Sequence, residues 1–352
     1  MNNPIRIGLD AMGGDYAPES LIEGAALAHK ESNGDYQIVL VGHEEKVHQA
    51  SEKLRHKLRH RVKSIFPIRH APEAIGMEEL PGEAVRRKDT SLSVAMQMQK
   101  EGELDAVVSA GNTGAVMASA LVTMGRLEGI DRPALAMYLP TENQKGVLVL
   151  DVGANSYCKP SNLYEFGVMG SIYSSAILNK DNPTVGLLSI GEEKSKGNPV
   201  TVESHKILQD STLNFYGNVE GRDILKGTTD VVVCDGFVGN VMIKMAESFE
   251  GFLAHLLRRQ VRSNLLSKMG VFFLKYTFKK VKKTLDYAEY GGAPLLGVNG
   301  VCVICHGSSS PKAIKNGIRV AANMVKRKVN QRIKEMLSFH GVGNSKVKSS
   351  EL

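Results

Sequence analysis

Residues 105–127 read DAVVSAGNTGAVMASALVTMGRL. Asp105–Ala110 is a short, nearly continuous apolar run, as expected for a strand covered on both faces. A Gly-Asn-Thr-Gly turn follows, and residues from Thr113 onward take up helical spacing. Strand, glycine turn and helix in that order are the unit of an α/β fold.

Five other places repeat the move from an apolar run to a Gly/Asn/Asp loop. They are DAMGGD (10–15), DVGAN (151–155), IGEEKSKGN (190–198), CDGFVGN (234–240) and HGSSSP (306–311). In open α/β sheets ligands bind outside the carboxyl ends of the strands. Glycine lets backbone N–H groups approach an anion, and the helix that follows presents unpaired N–H groups and partial positive charge. Six such loops point to one shared site. Their amides, carboxylates, lysine pair and histidine suit a small oxyanion and a carbonyl better than an apolar ligand.

Strands are expected at 5–9, 36–42, 61–66 and 105–110, at 184–190 and 230–235, and in VCVIC (301–305). LAMYLP and VLVLD read as an antiparallel hairpin across TENQKG. Helical patterns lie between these runs, and one long helix is expected from Pro311 to Met336. The reading is a mainly parallel sheet with helices on both faces. From about 239 to 286 two long helical stretches follow one another with no strand between them. They read as a protruding helix pair on one catalytic unit, 1–338, with a disordered tail at 339–352.

The chain has 352 residues, of which 42% are hydrophobic, enough for a sizeable core. It opens MNNPIRIGLD, with no charged, apolar and cleavage regions of a signal peptide and no run of 18 apolar residues. A cytoplasmic location is therefore expected. Four cysteines do not make a disulfide framework. Cys302, Cys305 and His306 match the haem-attachment spacing C-x-x-C-H, but VCVIC reads better as a buried strand. Cys158 and Cys234 stand alone, so no zinc site, and no other metal or cofactor, is expected.

The net charge of +7 is unevenly placed. Gly251–Leu285 contains nine Lys and Arg residues and no acid, and taking those nine from +7 leaves −2. General coating of nucleic acid is excluded by that distribution. On a helical projection Lys268, Lys275, Lys279 and Lys282 form a stripe, with Phe272, Phe273 and other apolar residues over most of the remainder. The segment reads either as core or dimer packing, or as a surface for an anionic membrane or an acidic partner.

Each loop residue has a structural reading beside its functional one. Asp10 could orient an amide or a cation, and Asp15 reads as an N-cap. Asn112 and Asn155 could donate to an oxyanion or simply cap helices. One of Lys194 and Lys196 is expected to act, because their loop lies on the ligand edge. Asp235, Asn240 and Lys244 surround the start of a long helix. His306 and Ser308, in a Gly/Ser loop that opens a helix, could cradle phosphate, as could Gly13 and Gly14.

DAMGGD, SAGNTGA, GIDRPALA, DVGAN, VEGRDIL, DGFVGN and HGSSS occur here in this order. Together they closely resemble the PlsX-type phosphate acyltransferases of bacterial phospholipid synthesis, from Ile5 to about Val329. The resemblance implies a fold similar to phosphotransacetylases and isocitrate-dehydrogenase-like enzymes. It implies transfer of a fatty acyl group from acyl carrier protein to inorganic phosphate, by a homodimer peripherally associated with the membrane. It also matches Lys196 and Asn240 to the family's catalytic positions. The chain departs from the pattern at Val238, where Thr is common, at Ser310, where Asp is common, and at Ser156-Tyr157, where Val-Asp is common.

On this reading phosphate is already anionic and the thiol is a good leaving group, so placement and oxyanion stabilisation dominate. Lys196 is expected at the phosphate or oxyanion, Asn240 at the carbonyl. The product must then reach a membrane enzyme, with a glycerol-phosphate acyltransferase as the candidate partner. Two other classes compete: an NAD(P)-dependent dehydrogenase of related fold, for which no G-x-G-x-x-G follows a strand, and a non-catalytic membrane scaffold for acyl carrier protein.

Overall fold

The computed structural model describes residues 4–32, 34–57, 66–263 and 265–339. Among them, eleven strands form one sheet. They are β1 (Ile5–Asp10), β2 (Tyr36–Gly42), β3 (Ile68–His70), β4 (Ala106–Ser109), β5 (Ala134–Leu139), β6 (Val147–Leu150), β7 (Val185–Leu188), β8 (Phe215–Val219), β9 (Val231–Val233), β10 (Ala293–Leu296) and β11 (Cys302–Ile304). Their order is β3-β2-β1-β4-β11-β10-β5-β6-β9-β7-β8.

The short apolar strands are buried on both faces because alternate residues feed two cores. Ile7, Leu9, Leu148, Leu150, Val231 and Val233 enter one core, which Ile22, Phe166 and Ile318 cover from helices Glu19–Ser32, Pro160–Leu178 and Pro311–Lys326. Val107, Val147, Val149 and Val232 enter the other, covered by Leu92 and Val116 from helices Ser91–Lys100 and Thr113–Met124. The expected α/β layering, mainly parallel with helices on both faces, is what forms.

Strand direction departs from the expectation of one shared ligand edge. β3, β2, β1, β4 and β11 are mutually parallel, as are β6, β9, β7 and β8. Between them β11 pairs antiparallel with β10, β10 with β5, and β5 with β6. The two parallel groups therefore run in opposite directions. Their carboxyl ends, and the loops that follow, leave the sheet in opposite senses. The hairpin behind this reversal was expected, with Leu139 opposite Val147 and Ala136 opposite Leu150; β10 and β8 were not.

Two further expectations change. Most of the strand expected at 61–66 lies outside the described residues, and the edge strand is Ile68–His70. The single C-terminal helix is two, Pro311–Lys326 and Val329–Phe339, broken at Lys328, whose φ of +53° cannot continue a right-handed helix. The helix pair forms as Gly236–Ser263 and Leu265–Leu285. Phe249, Phe252, Phe273, Tyr276, Lys275 and Lys279 are exposed on it. Core packing within the chain is thus not their role. Lys268, Phe272 and Lys282 lie on the second helix, with side chains outside the described set, and residues 340–352 are also outside it. Among the described residues no helix is long and apolar enough to cross a membrane.

Candidate active site

The loops after β1, β4 and β11 pack onto one another. Asp10, buried at the end of β1, accepts hydrogen bonds from Ser91 Oγ at 2.6 Å and Ser109 Oγ at 2.7 Å, and Met12 N–H donates to it at 3.3 Å. Burial pushes its pKa up, against the pull of these donors. A methyl group on Gly13 would lie 2.6 Å from Asp10 Oδ2 and 2.8 Å from Gly111 N. A methyl group on Gly14, at φ +102°, would lie 2.9 Å from the carbonyl oxygens of Ala110 and Gly307. These glycines serve loop-to-loop contact.

Asn112 caps the helix Thr113–Met124 by accepting Ala115 N–H at 3.0 Å, and its amide donates to Met77 O at 2.7 Å and Glu79 O at 3.1 Å. An amide has two hydrogens, and both are used. It is a tether here rather than an oxyanion donor. His306 Nδ1 receives the Ser308 N–H at 3.2 Å and lies 2.8 Å from Ser308 Oγ, in an exposed turn. Ser310 caps the next helix through Ala313 N–H at 3.3 Å, so Ser serves at this position where Asp is common. The adjoining cavity, about 580 Å³, is lined by Asp15, Glu19 and Glu23 as well as Ser308 and Ser310. Three carboxylates make it a poor phosphate cradle.

The loops after β6 and β9 form a second cluster, organised by Asp151. This fully buried carboxylate accepts the N–H groups of Leu135 (3.0 Å), Gly153 (3.1 Å), Ala154 (2.9 Å) and Asn155 (2.7 Å), and the Asn155 amide at 2.9 Å. Burial raises its pKa, opposed by those donors. The second amide hydrogen of Asn155 goes to Pro133 O at 2.7 Å, so Asn155 also holds structure. Its carbonyl accepts Gly236 N–H at 2.8 Å, joining this loop to the start of helix Gly236–Ser263. Asp235 caps that helix through Val238 N–H at 2.8 Å. Gly239 approaches the Asp151 carbonyl so closely that no side chain fits.

Asn240 lies one turn into the helix, exposed and facing Gly153. Among the described residues its side chain makes no hydrogen bond. The first turn of the helix carries no acidic residue, and the Asp235 cap before it already accepts the Val238 N–H. Lys244, farther along, lies 3.7 Å from Glu247.

β7 is the next strand beyond β9 and parallel to it, so the 190–198 loop leaves the same edge. Buried Asn218 holds this loop by donating to Glu193 O at 2.8 Å, and His205 Nδ1 lies 2.8 Å from Asn218 Oδ1. Lys194 Nζ donates to Gln209 Oε1 at 3.1 Å. Lys196 is exposed and has no ion-pair partner among the described residues. The geometry thus distinguishes the two lysines. Asp151 and Asn218 were missed as organisers; only the Asp at the head of DVGAN hinted at the first.

Cys158 and Cys234 flank this cluster. Burial, with the charges of Asp151 and Asp235, pushes Cys158 up to about 12 and Cys234 well above the ordinary thiol value. Neither is an available thiolate at neutral pH.

A family model described as "Fatty acid synthesis protein" matches residues 5–332. The phosphate acyltransferase of Geobacter sulfurreducens is 49% identical over 336 residues, covering 95% of this chain and 94% of that one. The chain belongs to this family. The phosphate acyltransferase of Pelotomaculum thermopropionicum is 48% identical over 349 residues, 97% of this chain and 99% of its own. Membership makes the chain an acyltransferase. Among solved structures, a phosphotransacetylase from Streptococcus pyogenes superposes with a TM-score of 0.64 at 17% identity, covering 92% of this chain and 94% of that one. The EutD phosphotransacetylase from Staphylococcus aureus gives 0.59 at 17% identity over the same shares. At that identity these two establish the fold.

Proposed function

We propose that the chain transfers a long-chain fatty acyl group from acyl carrier protein to inorganic phosphate, giving acyl-phosphate for phosphatidic acid and phospholipid synthesis. The observation that carries the reading is the edge shared by β6, β9 and β7. Among the described residues it offers an uncommitted amide, Asn240, and an exposed ammonium without an ion-pair partner, Lys196, in a chain whose near-full-length relatives are phosphate acyltransferases.

A phosphate oxygen attacks the thioester carbonyl carbon. The carbonyl electrons move onto oxygen, then return as the carbon–sulfur bond breaks. The thiolate leaves with its electron pair and takes a proton from solvent. A thiol of pKa about 8.5 leaves readily. Placement of two reactants supplies roughly 7 kcal/mol or more, and an oxyanion donor about 3 kcal/mol. Lys196 holds phosphate or the developing oxyanion, and Asn240 orients the carbonyl.

Residues 1–338 act as one catalytic unit in this reading, working as a cytoplasmic homodimer. The exposed cations and aromatics of the helix pair suit an anionic membrane surface or the acidic carrier protein. The test is incubation with long-chain acyl carrier protein and phosphate, trapping acyl-phosphate with hydroxylamine. Acyl hydroxamate that depends on phosphate supports the reading; carrier binding without turnover would leave only a scaffold.

A further inference from the structure

Three large apolar side chains stand exposed at three consecutive parallel strand ends. Tyr157, 93% exposed, ends the turn after β6; Ile190, 81% exposed, opens the loop after β7; Phe237, 64% exposed, is the second residue of the helix after β9. Each is joined to the candidate site. Phe237 stands three residues before Asn240, the spacing that makes neighbours on a helix surface. Ile190 precedes Gly191, where an added methyl would lie 2.9 Å from Lys196 Cγ. Tyr157 follows Asn155, whose carbonyl holds Gly236.

Single exposed apolar residues are ordinary, but a group around one site marks a surface that something apolar covers. Folding leaves all three mostly exposed. A carbonyl held near Asn240, with phosphate near Lys196, must send its hydrocarbon chain across some neighbouring surface. Burying that chain against side chains is favourable in proportion to the methylenes covered.

We propose that Tyr157, Ile190 and Phe237 form the acyl-chain subsite, so that the enzyme discriminates by chain length at the rim of the site. This rests on the acyl-transfer reading above. The occupant is the acyl group of the donor, because Phe237 stands three residues from Asn240, the residue assigned to its carbonyl, and Ile190 and Tyr157 lie at the neighbouring strand ends.

The experiment measures kcat/KM with acyl carrier protein loaded with C4 or C16 chains, for wild type, Phe237→Ser, Ile190→Asn and Val122→Ala. The C16-to-C4 ratio should fall about tenfold in each of the first two variants. Val122, 63% exposed on helix Thr113–Met124, belongs to the other loop group, and its variant should keep the wild-type ratio. Circular dichroism and sedimentation on the same samples report folding and assembly. An unchanged ratio in folded variants overturns the subsite. So does an equal loss on both donors with dissociation of an oligomer, which would make the surface a contact between copies. No acyl-phosphate from wild type with either donor would sink the acyl-transfer reading itself, and the subsite with it.

Discussion

Gly153 and Asn240 are packed against each other: a methyl group on Gly153 would lie 3.6 Å from Cβ, Cγ and Oδ1 of Asn240. Gly153 also has φ +140°, which an L side chain rarely adopts. The loop organised by Asp151 therefore forms the wall behind the Asn240 amide. Asn240→Ala should lower turnover about a hundredfold without changing the melting temperature, since the side chain is exposed. Gly153→Ala should lower both, with about 1–3 kcal/mol of backbone strain. Turnover and thermal melts on the two variants check this; an Asn240→Ala enzyme near wild-type rate would remove Asn240 from the chemistry.

Lys196 and Lys194 should behave differently. Lys194 is occupied by Gln209, whereas Lys196 is exposed with no ion-pair partner among the described residues. Lys196→Ala should cost about a hundredfold in turnover with folding intact, and Lys194→Ala much less. Steady-state kinetics decide it, and equal mild losses would show that neither touches the reacting groups.

No acyl-cysteine should form. Cys158 and Cys234 are held as neutral thiols by burial and nearby carboxylates, and phosphate can attack the thioester directly. Mass spectrometry after mixing with acyl donor alone should find the chain unmodified. A stable adduct on either residue would demand a two-step mechanism.

Asp223 should contribute a pH-dependent part of the stability. Its carboxylate accepts Glu220 N–H at 2.9 Å, which, with Lys226 and Arg222 nearby, holds its pKa below the ordinary range. A lowered folded value means the contribution is complete above the unfolded value of about 4. It is then lost as pH falls through the folded value. The melting-temperature gap between wild type and Asp223→Ala should be constant near neutrality and close below about pH 4. A gap that widens on acidification would contradict this assignment.

Much of the fold was legible because continuous apolar runs such as VVV (231–233) and AVVS (106–109) leave little choice but a strand buried on both faces. β8 was not, since Gly217 and Asn218 dilute its pattern, and β10 was not, since Pro294 argues against a ladder. Missing β10 concealed the link between the two parallel groups and so the division of the six loops. In the loops, Asn112 and Asn155 looked like free amides because their acceptors, Met77 O and Pro133 O, lie 35 and 22 residues away in the chain. The choice between Lys194 and Lys196 depended on Gln209, invisible for the same reason.

The reversal of the sheet also sets an order for biosynthesis. β4 gains its second neighbour only from β11, and β5 its second only from β10. Both late strands lie in residues 293–304, near the end of the chain. Until the ribosome has released them, the nascent protein carries two half-sheets, each with a bare apolar margin that can template aggregation. The C-terminal hairpin is then the seam that seals both margins at once, and its arrival is what turns two vulnerable pieces into one sheet.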